Sequence, residues 1–356
     1  MNNDLQETQD PTLADGLYFG MEDDVYHAIP RLSASGVKRL LVSGMDFWAW
    51  SWMNDNKPQI ESEALTIGKA YHKRILEGRE AFEQSFAPAF VLDESISYVD
   101  TIDDMKAILE ANGIKLMSKA KKADYIDAVK ELPEKYFFKD EMRAEYESQY
   151  PHHTFLSAKL IEQINICAAM IENHPQLSKA ITGGYPEVSV LWTCKETGVK
   201  MKARIDYLKV LAMTDLKTFT NKFNKTIDKA IYWAMAGEKY HVQSGVYYEA
   251  CDYAREFARK GLVNGIVDPT FVEAFGNANP DETKFLFIFQ QKGIAPVTRG
   301  KVMPKMSIHD VAVAAITEAK ESFKRYMATF GTDPWLDVTD ISEFQDSEFP
   351  AFITDL

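Results

Sequence analysis

The sequence predicts an α/β fold, a mixed central sheet flanked by helices and carrying a helical insertion. Three observations lead there. Extended runs lie near residues 187–194, 199–208 and 212–218, a long helical stretch follows at about 226–260, and Lys284 to Gln291 (KFLFIFQQ) is a strongly apolar strand before a closing helix at 307–330. Three strands close in sequence pair antiparallel most simply; a crossover helix then returns the chain for another strand, and helices cover the sheet.

The elements follow in chain order. The N-terminal region reads as helical, with Ser33 or Ser35 as a good N-cap, and free amides at Ser35 together with Lys38 and Arg39 could accept a phosphate. Phe47 to Trp52 (FWAWSW) follows Leu40-Leu41 in helical context and reads as buried packing. Ile67-Gly68-Lys69-Ala70-Tyr71-His72 opens a helical run through Leu76, with Gly68 and His72 on one face. Thr101 to Leu109 starts like a capped helix, Asn112-Gly113 stops it, and Ser118 to Ile126 starts a second one. Glu187 opens the alternating strand of Val188, Val190 and Trp192. Gln243 and Tyr247, four apart, share a face of the helical stretch from about Glu238 to Lys260.

Arg204-Ile205-Asp206 and Thr214-Asp215-Leu216-Lys217 carry the chemistry. In an extended segment Asp215 and Lys217 share one face and Leu216 points away. A tight turn near Val210-Leu211 would set Asp206 across from Asp215, with Cβ atoms roughly 5 Å apart, although the turn has no Gly or Asn at its centre. Two carboxylates so close repel unless something positive lies between them, and a divalent metal with oxygen ligands is the natural candidate. A lysine beside it stabilises developing negative charge. Standing alone, Asp-x-Lys is more often a solvated surface pair.

An acid, a gap and then acid-x-Lys resembles the PD-(D/E)XK nuclease superfamily, with Ile205-Asp206 as the first element and Asp215-Leu216-Lys217 as the second. Gly68 to His72 looks like the G-x-x-x-H element of RecB-like and RecE-like nucleases, and Gln243 to Tyr247 like their Q-x-x-x-Y element. Tyr26-His27-Ala28, Leu32 to Lys38, and Leu76-Glu77-Gly78 through Phe82, Phe86 and Ala87 resemble the opening of the RecE-type domain of exonuclease VIII and its phage relatives. The likeness covers roughly residues 17–90 and 180–330. It implies a restriction-endonuclease-like core. Asp206, Asp215 and the Leu216 carbonyl would hold Mg²⁺ or Mn²⁺, with His72 completing or orienting the sphere and Glu187 assisting a second ion or a water. Lys217 would steer that water, and Gln243 and Tyr247 would line the groove and position the strand. A RecE-type enzyme further implies a processive 5′-to-3′ exonuclease on linear duplex DNA, a homo-oligomeric ring and a single-strand annealing protein as partner in recombination. The alternatives are a structure-specific or site-specific endonuclease of the same superfamily, an idle DNA-end-binding scaffold, and an interaction protein whose acidic ends mimic DNA.

Composition bounds these readings. The 356 residues suffice for a large core, and 46% hydrophobic with 26% charged residues is ordinary for a soluble protein. No charged-then-apolar leader and no membrane-length apolar run is read, so a cytoplasmic protein with no membrane partner is expected. Cys167, Cys194 and Cys251 make no disulfide framework and cannot supply the four thiolates of an iron–sulfur cluster. His152-His153 has no acid or cysteine at ligand spacing.

The net charge of −13 is concentrated at the ends. Residues 1–25 and 332–356 each contain seven acids and no Lys or Arg, leaving 40 basic and 39 acidic residues between them. A nearly neutral body can still hold phosphates. The expected organisation is an acidic arm (1–25), a nuclease domain (26–331) with an inserted helical module at about 99–135, and an acidic tail (332–356). The helix–extended–helix pattern of the module resembles small SAP and HeH modules, and its Lys119, Lys121 and Lys122 are candidate DNA contacts.

Overall fold

The computed structural model describes residues 13–58, 62–221, 224–293, 295–336, 341–345 and 348–349. Two compact units are present: Met1–Gly68 with Met170–Leu356, and Lys69–Ala169. The chain starts with β1 (Gly16–Tyr18), α1 (Asp23–Ala28), α2 (Ala34–Leu40), α3 (Gly44–Trp50) and α4 (Glu63–His72). The second unit adds α5 (Arg79–Glu83), β2 (Phe86–Pro88), β3 (Tyr98–Val99), α6 (Ile102–Ala111), α7 (Lys122–Lys130), β4 (Phe137–Phe138), α8 (Lys139–Ser148), β5 (Thr154–Leu156) and most of α9 (Ala158–Glu172). Back in the first unit come α10 (Leu177–Ala180), β6 (Tyr185–Thr193), β7 (Lys200–Lys209), β8 (Ala212–Phe219), α11 (Ile227–Gly237) and α12 (Tyr240–Lys260). The last elements are β9 (Val263–Asn264), α13 (Pro269–Asn277), β10 (Lys284–Gln291), β11 (Val297–Met303) and α14 (Ser307–Phe330).

The first unit is built on a mixed seven-stranded sheet in the order β11-β10-β8-β7-β6-β1-β9. Strands β6, β7 and β8 are antiparallel neighbours, and β10 joins β8 in parallel after the α11–α12 crossover. This is the mixed α/β sheet flanked by helices that the hydrophobic pattern predicts. Phe285, Phe287 and Phe289 alternate from β10 into the same core as Val188, Val190, Met201, Ala203 and Ile205. Helix α12 supplies Val242, Val246, Ala250 and Ala254 to that core. A Cβ on Gly245 would come within 2.7 Å of the Ile316 side chain, so glycine lets α12 and α14 approach closely.

Several expectations are corrected. The N-terminal region is not wholly helical: β1 pairs with β6, and three residues are too few to show alternation in sequence. The helical stretch at 226–260 is two helices, broken where Lys239 adopts a left-handed φ of 48°. Ser33, not Ser35, caps α2, accepting from the Gly36 amide. The tail expected from residue 332 contributes to the core, because Trp335 is fully buried against Phe47, Phe323 and Tyr326. Residues 1–12, 337–340, 346–347 and 350–356 of the two acidic ends, Phe352 included, lie outside the described residues.

The second unit has its own core of Val99, Met105, Leu109, Val129 and Phe138, and it is wider than a module at 99–135. Thr101 and Asp104 form a capping box at the start of α6. Helix α7 begins at Lys122 rather than Ser118, where the Asp124 carboxylate reaches back to the Lys121 amide. Among the described residues no helix is long and apolar enough to cross a membrane.

Candidate active site

Strands β7 and β8 are joined by a two-residue turn at Val210-Leu211. The turn lacks the glycine or asparagine that such turns favour, and it is held from outside instead. Arg255, fully buried on α12, donates to the Val210 carbonyl at 2.9 Å, to Thr283 Oγ1 at 2.7 Å and to the Phe275 carbonyl. The Lys284 amide donates to the Leu211 carbonyl at 3.0 Å.

From that turn the ladder runs Lys209↔Ala212, Leu208↔Met213 and Tyr207↔Thr214, then stops. The next position in register sets Asp206 opposite Asp215, where the strands part and β8 continues alongside β10 with Asp215↔Phe287 and Lys217↔Phe289. The Asp206 carboxylate fills the opening and accepts the Leu216 amide at 2.8 Å. On its other side β7 slips in alternation, for Ile205 and Leu208 both enter the same core cluster. Opposite the slip, between the pairs Pro186↔Tyr207 and Val188↔Ile205, lies Glu187 with a left-handed φ of 51°. A non-glycine residue there costs about 1–3 kcal/mol and is held by its surroundings.

Asp215 is 0% exposed. Its Oδ2 lies 2.6 Å from Lys217 Nζ, and its Oδ1 accepts from Gln243 Nε2 at 2.6 Å. Gln243 Oε1 in turn accepts from Lys38 Nζ at 3.3 Å. The Tyr240 ring lies beneath both ammonium groups, at 5.2 Å from Lys217 and 5.0 Å from Lys38. Burial by itself would lower the Lys217 pKa, but the charges of Asp215 and Asp206 outweigh it and hold the ammonium above its ordinary value. Lys38 goes the other way: burial, then the neighbouring Lys217 charge, bring it down to about 8. Burial pushes Tyr240 up to about 12.

Of the residues singled out in sequence, Asp206, Asp215, Leu216, Lys217, Gln243 and Lys38 thus converge. Gln243 and Tyr247 are corrected in role. Both are buried rather than lining a groove; the Gln243 amide is committed to Asp215 and Lys38, and the Tyr247 ring packs on Phe285. Gln243 thereby holds the acid from the α12 side. Glu187 is half-buried, with its Oε2 3.9 Å from Arg204 Nε, and Arg204 also binds Asp23 and Ser189. Ser35 is exposed, its Oγ 2.8 Å from Ser33 Oγ. His72 ends α4 and is half-buried, and Lys119, Lys121 and Lys122 are exposed; all four belong to the second unit, where Lys122 pairs with Asp140 at 2.9 Å. Tyr240, and the pairing of Arg204 with Glu187 and Asp23, escaped the sequence reading. Tyr240 was findable, since it stands three residues before Gln243 and so shares its helix face.

The strain at Glu187 gives an expected result. Glu187→Gly should unfold at the wild-type temperature or slightly above it, Glu187→Val should unfold lower, and both should lose affinity for a divalent cation. Thermal melts with and without Mg²⁺ check this, and wild-type cation stabilisation in both variants would remove Glu187 from the site.

A family model described as "PDDEXK-like domain of unknown function (DUF3799)" matches residues 33–267, a span that includes Glu187, Asp206, Asp215, Lys217 and Gln243. No curated protein matches the chain. Among solved structures, one described as "Putative exonuclease" from Eubacterium rectale is similar at 14% identity, covering 86% of this chain and 84% of that chain, with a TM-score of 0.45.

Proposed function

The chain belongs to the PDDEXK-like domain family (DUF3799), and from that premise we propose that it is a metal-dependent nuclease hydrolysing phosphodiester bonds of DNA. The observation that carries the reading is a fully buried carboxylate, Asp215, with Lys217 at 2.6 Å, in register with Asp206 at the point where β7 and β8 part. A carboxyl group fully buried beside a second acid is unfavourable as packing, and it is understandable as a cation site.

The donor set fits Mg²⁺ or Mn²⁺. Asp206, Asp215 and the Leu216 carbonyl are hard oxygen donors, with Glu187 as a further candidate. A bound ion of this kind neutralises phosphate charge and lowers the pKa of water. The protein's own groups do the rest. Gln243 fixes the Asp215 carboxylate through Oδ1, and the Leu216 amide fixes Asp206 through Oδ2. Lys217, held protonated by its acids, is a fixed cation for the charge that develops on the phosphate rather than a base. Lys38 adds a second cation above Tyr240.

The motifs shared with RecE-type enzymes make the finer reading a 5′-to-3′ exonuclease on linear duplex DNA, working as a homo-oligomer with a single-strand annealing protein. Digestion of linear duplex labelled at the 5′ or the 3′ end, with Mg²⁺ or EDTA and beside a closed circle, tests it. The expected result is Mg²⁺-dependent early release of the 5′ label with the circle intact. Cutting of the circle would make the protein an endonuclease, and DNA binding without cleavage would make it an end-binding scaffold.

A further inference from the structure

Helix α11 joins two elements of the site, following Lys217 on β8 and preceding Tyr240 and Gln243 on α12. Its inner face is conventional: Ile231 is buried, and Ile227 and Met235 pack on the core. Its outer face is not. Tyr232 and Trp233 are adjacent in sequence and each is 65% exposed, among the small neighbours Ala230, Ala234 and Ala236. Two large rings left in water ask for an occupant.

The surrounding charge indicates which. Residues 217–239 contain five lysines and two acids in a chain of net charge −13. Lys225 Nζ lies 4.4 Å from the Trp233 ring centroid, and Lys229 is exposed on the same helix. The acid between them, Asp228, is bound to Lys301 at 2.8 Å. Exposed rings interleaved with ammonium groups suit a strand whose bases stack and whose phosphates need cations. A duplex hides its base faces, so the matching ligand is single-stranded.

We propose that Trp233 and Tyr232 form a stacking platform for unpaired bases of a single DNA strand, with Lys225 and Lys229 meeting its phosphates. The proposal rests on the nuclease reading of the site and adds to it a place for unpaired strand on the helix that links β8 to α12.

Equilibrium binding of a fluorescent oligo-dT of about 12 nucleotides to the full chain in EDTA tests this without cleavage. Trp233→Ala should weaken binding on the order of ten- to a hundredfold, while Trp233→Phe keeps most of it. An oligonucleotide of equal length with abasic sites should bind the wild type about as weakly, and Trp233→Ala should then cause no further loss. Undiminished binding in folded Trp233→Ala, or an equal loss on the abasic strand, would overturn the platform. So would a change of oligomeric state in that variant, which would make the rings a protein contact. A protein that binds oligo-dT through Trp233 yet never cuts DNA with Mg²⁺ would refute the nuclease reading and leave the platform standing.

Discussion

Asp215→Asn is expected to lower DNA cleavage on the order of a thousandfold or more while the protein stays folded. The substitution is isosteric, and the new amide oxygen still accepts from Gln243 Nε2, which now lies 2.6 Å from Oδ1. Lys217 keeps Asp206 as a second acid, so no buried ammonium is left without an opposite charge. What disappears is the negative oxygen that Lys217 holds and that the proposed cation would share, and losing one such electrostatic contact typically costs two to three orders of magnitude in rate. Lys217→Ala should slow cleavage by about a hundred- to a thousandfold and also cost stability, since Asp215 is completely buried and would lose its ion pair at 2.6 Å. Initial rates on labelled linear duplex, read beside thermal melts, separate the two effects. Wild-type cleavage by Asp215→Asn would refute the site.

The second large effect concerns the chain's end. Ending the protein after Pro334 should destabilise the first unit by roughly 3–5 kcal/mol, the usual loss for removing a buried tryptophan. Ending it after Leu336 should cost little. The difference is two residues, of which Leu336 is exposed and Trp335 carries the loss: Trp335 stacks on Tyr326 at 5.2 Å between ring centroids, lies 5.1 Å from Phe47 and 5.5 Å from Phe323, and donates from Nε1 to the Gly331 carbonyl at 2.9 Å. Trp335→Ala in the full chain should reproduce the loss. Equal melting of the two truncations would return this segment to the solvating tail that its acids suggest.

Much of the fold was legible in the chain because local physics sufficed. KFLFIFQQ alternates large rings and becomes β10, Thr101 and Asp104 cap α6, and the extended runs become β6, β7 and β8. Asp215 and Lys217 share a face simply because a strand alternates. The spacing 206 to 215, with a turn halfway, is enough to place the acids in register.

The rest was decided by contacts distant in sequence. Composition could not reveal that a turn of Val210 and Leu211 would hold, since Arg255, 45 residues away, clamps it. Nor could it reveal that the β7 ladder stops at Tyr207↔Thr214 while the other edge of β8 stays paired with β10 to Phe219. That parting leaves the Leu216 amide for Asp206 and the interior position for Asp215. Gln243 and Tyr247 share a helix face by spacing alone, but only the packing of α12 against the sheet decided that both are buried, with Gln243 on Asp215 and Tyr247 on Phe285. The sequence by itself determined which groups carry charge and which face they share; the tertiary structure determined which of those charges are buried, and so which must be paired.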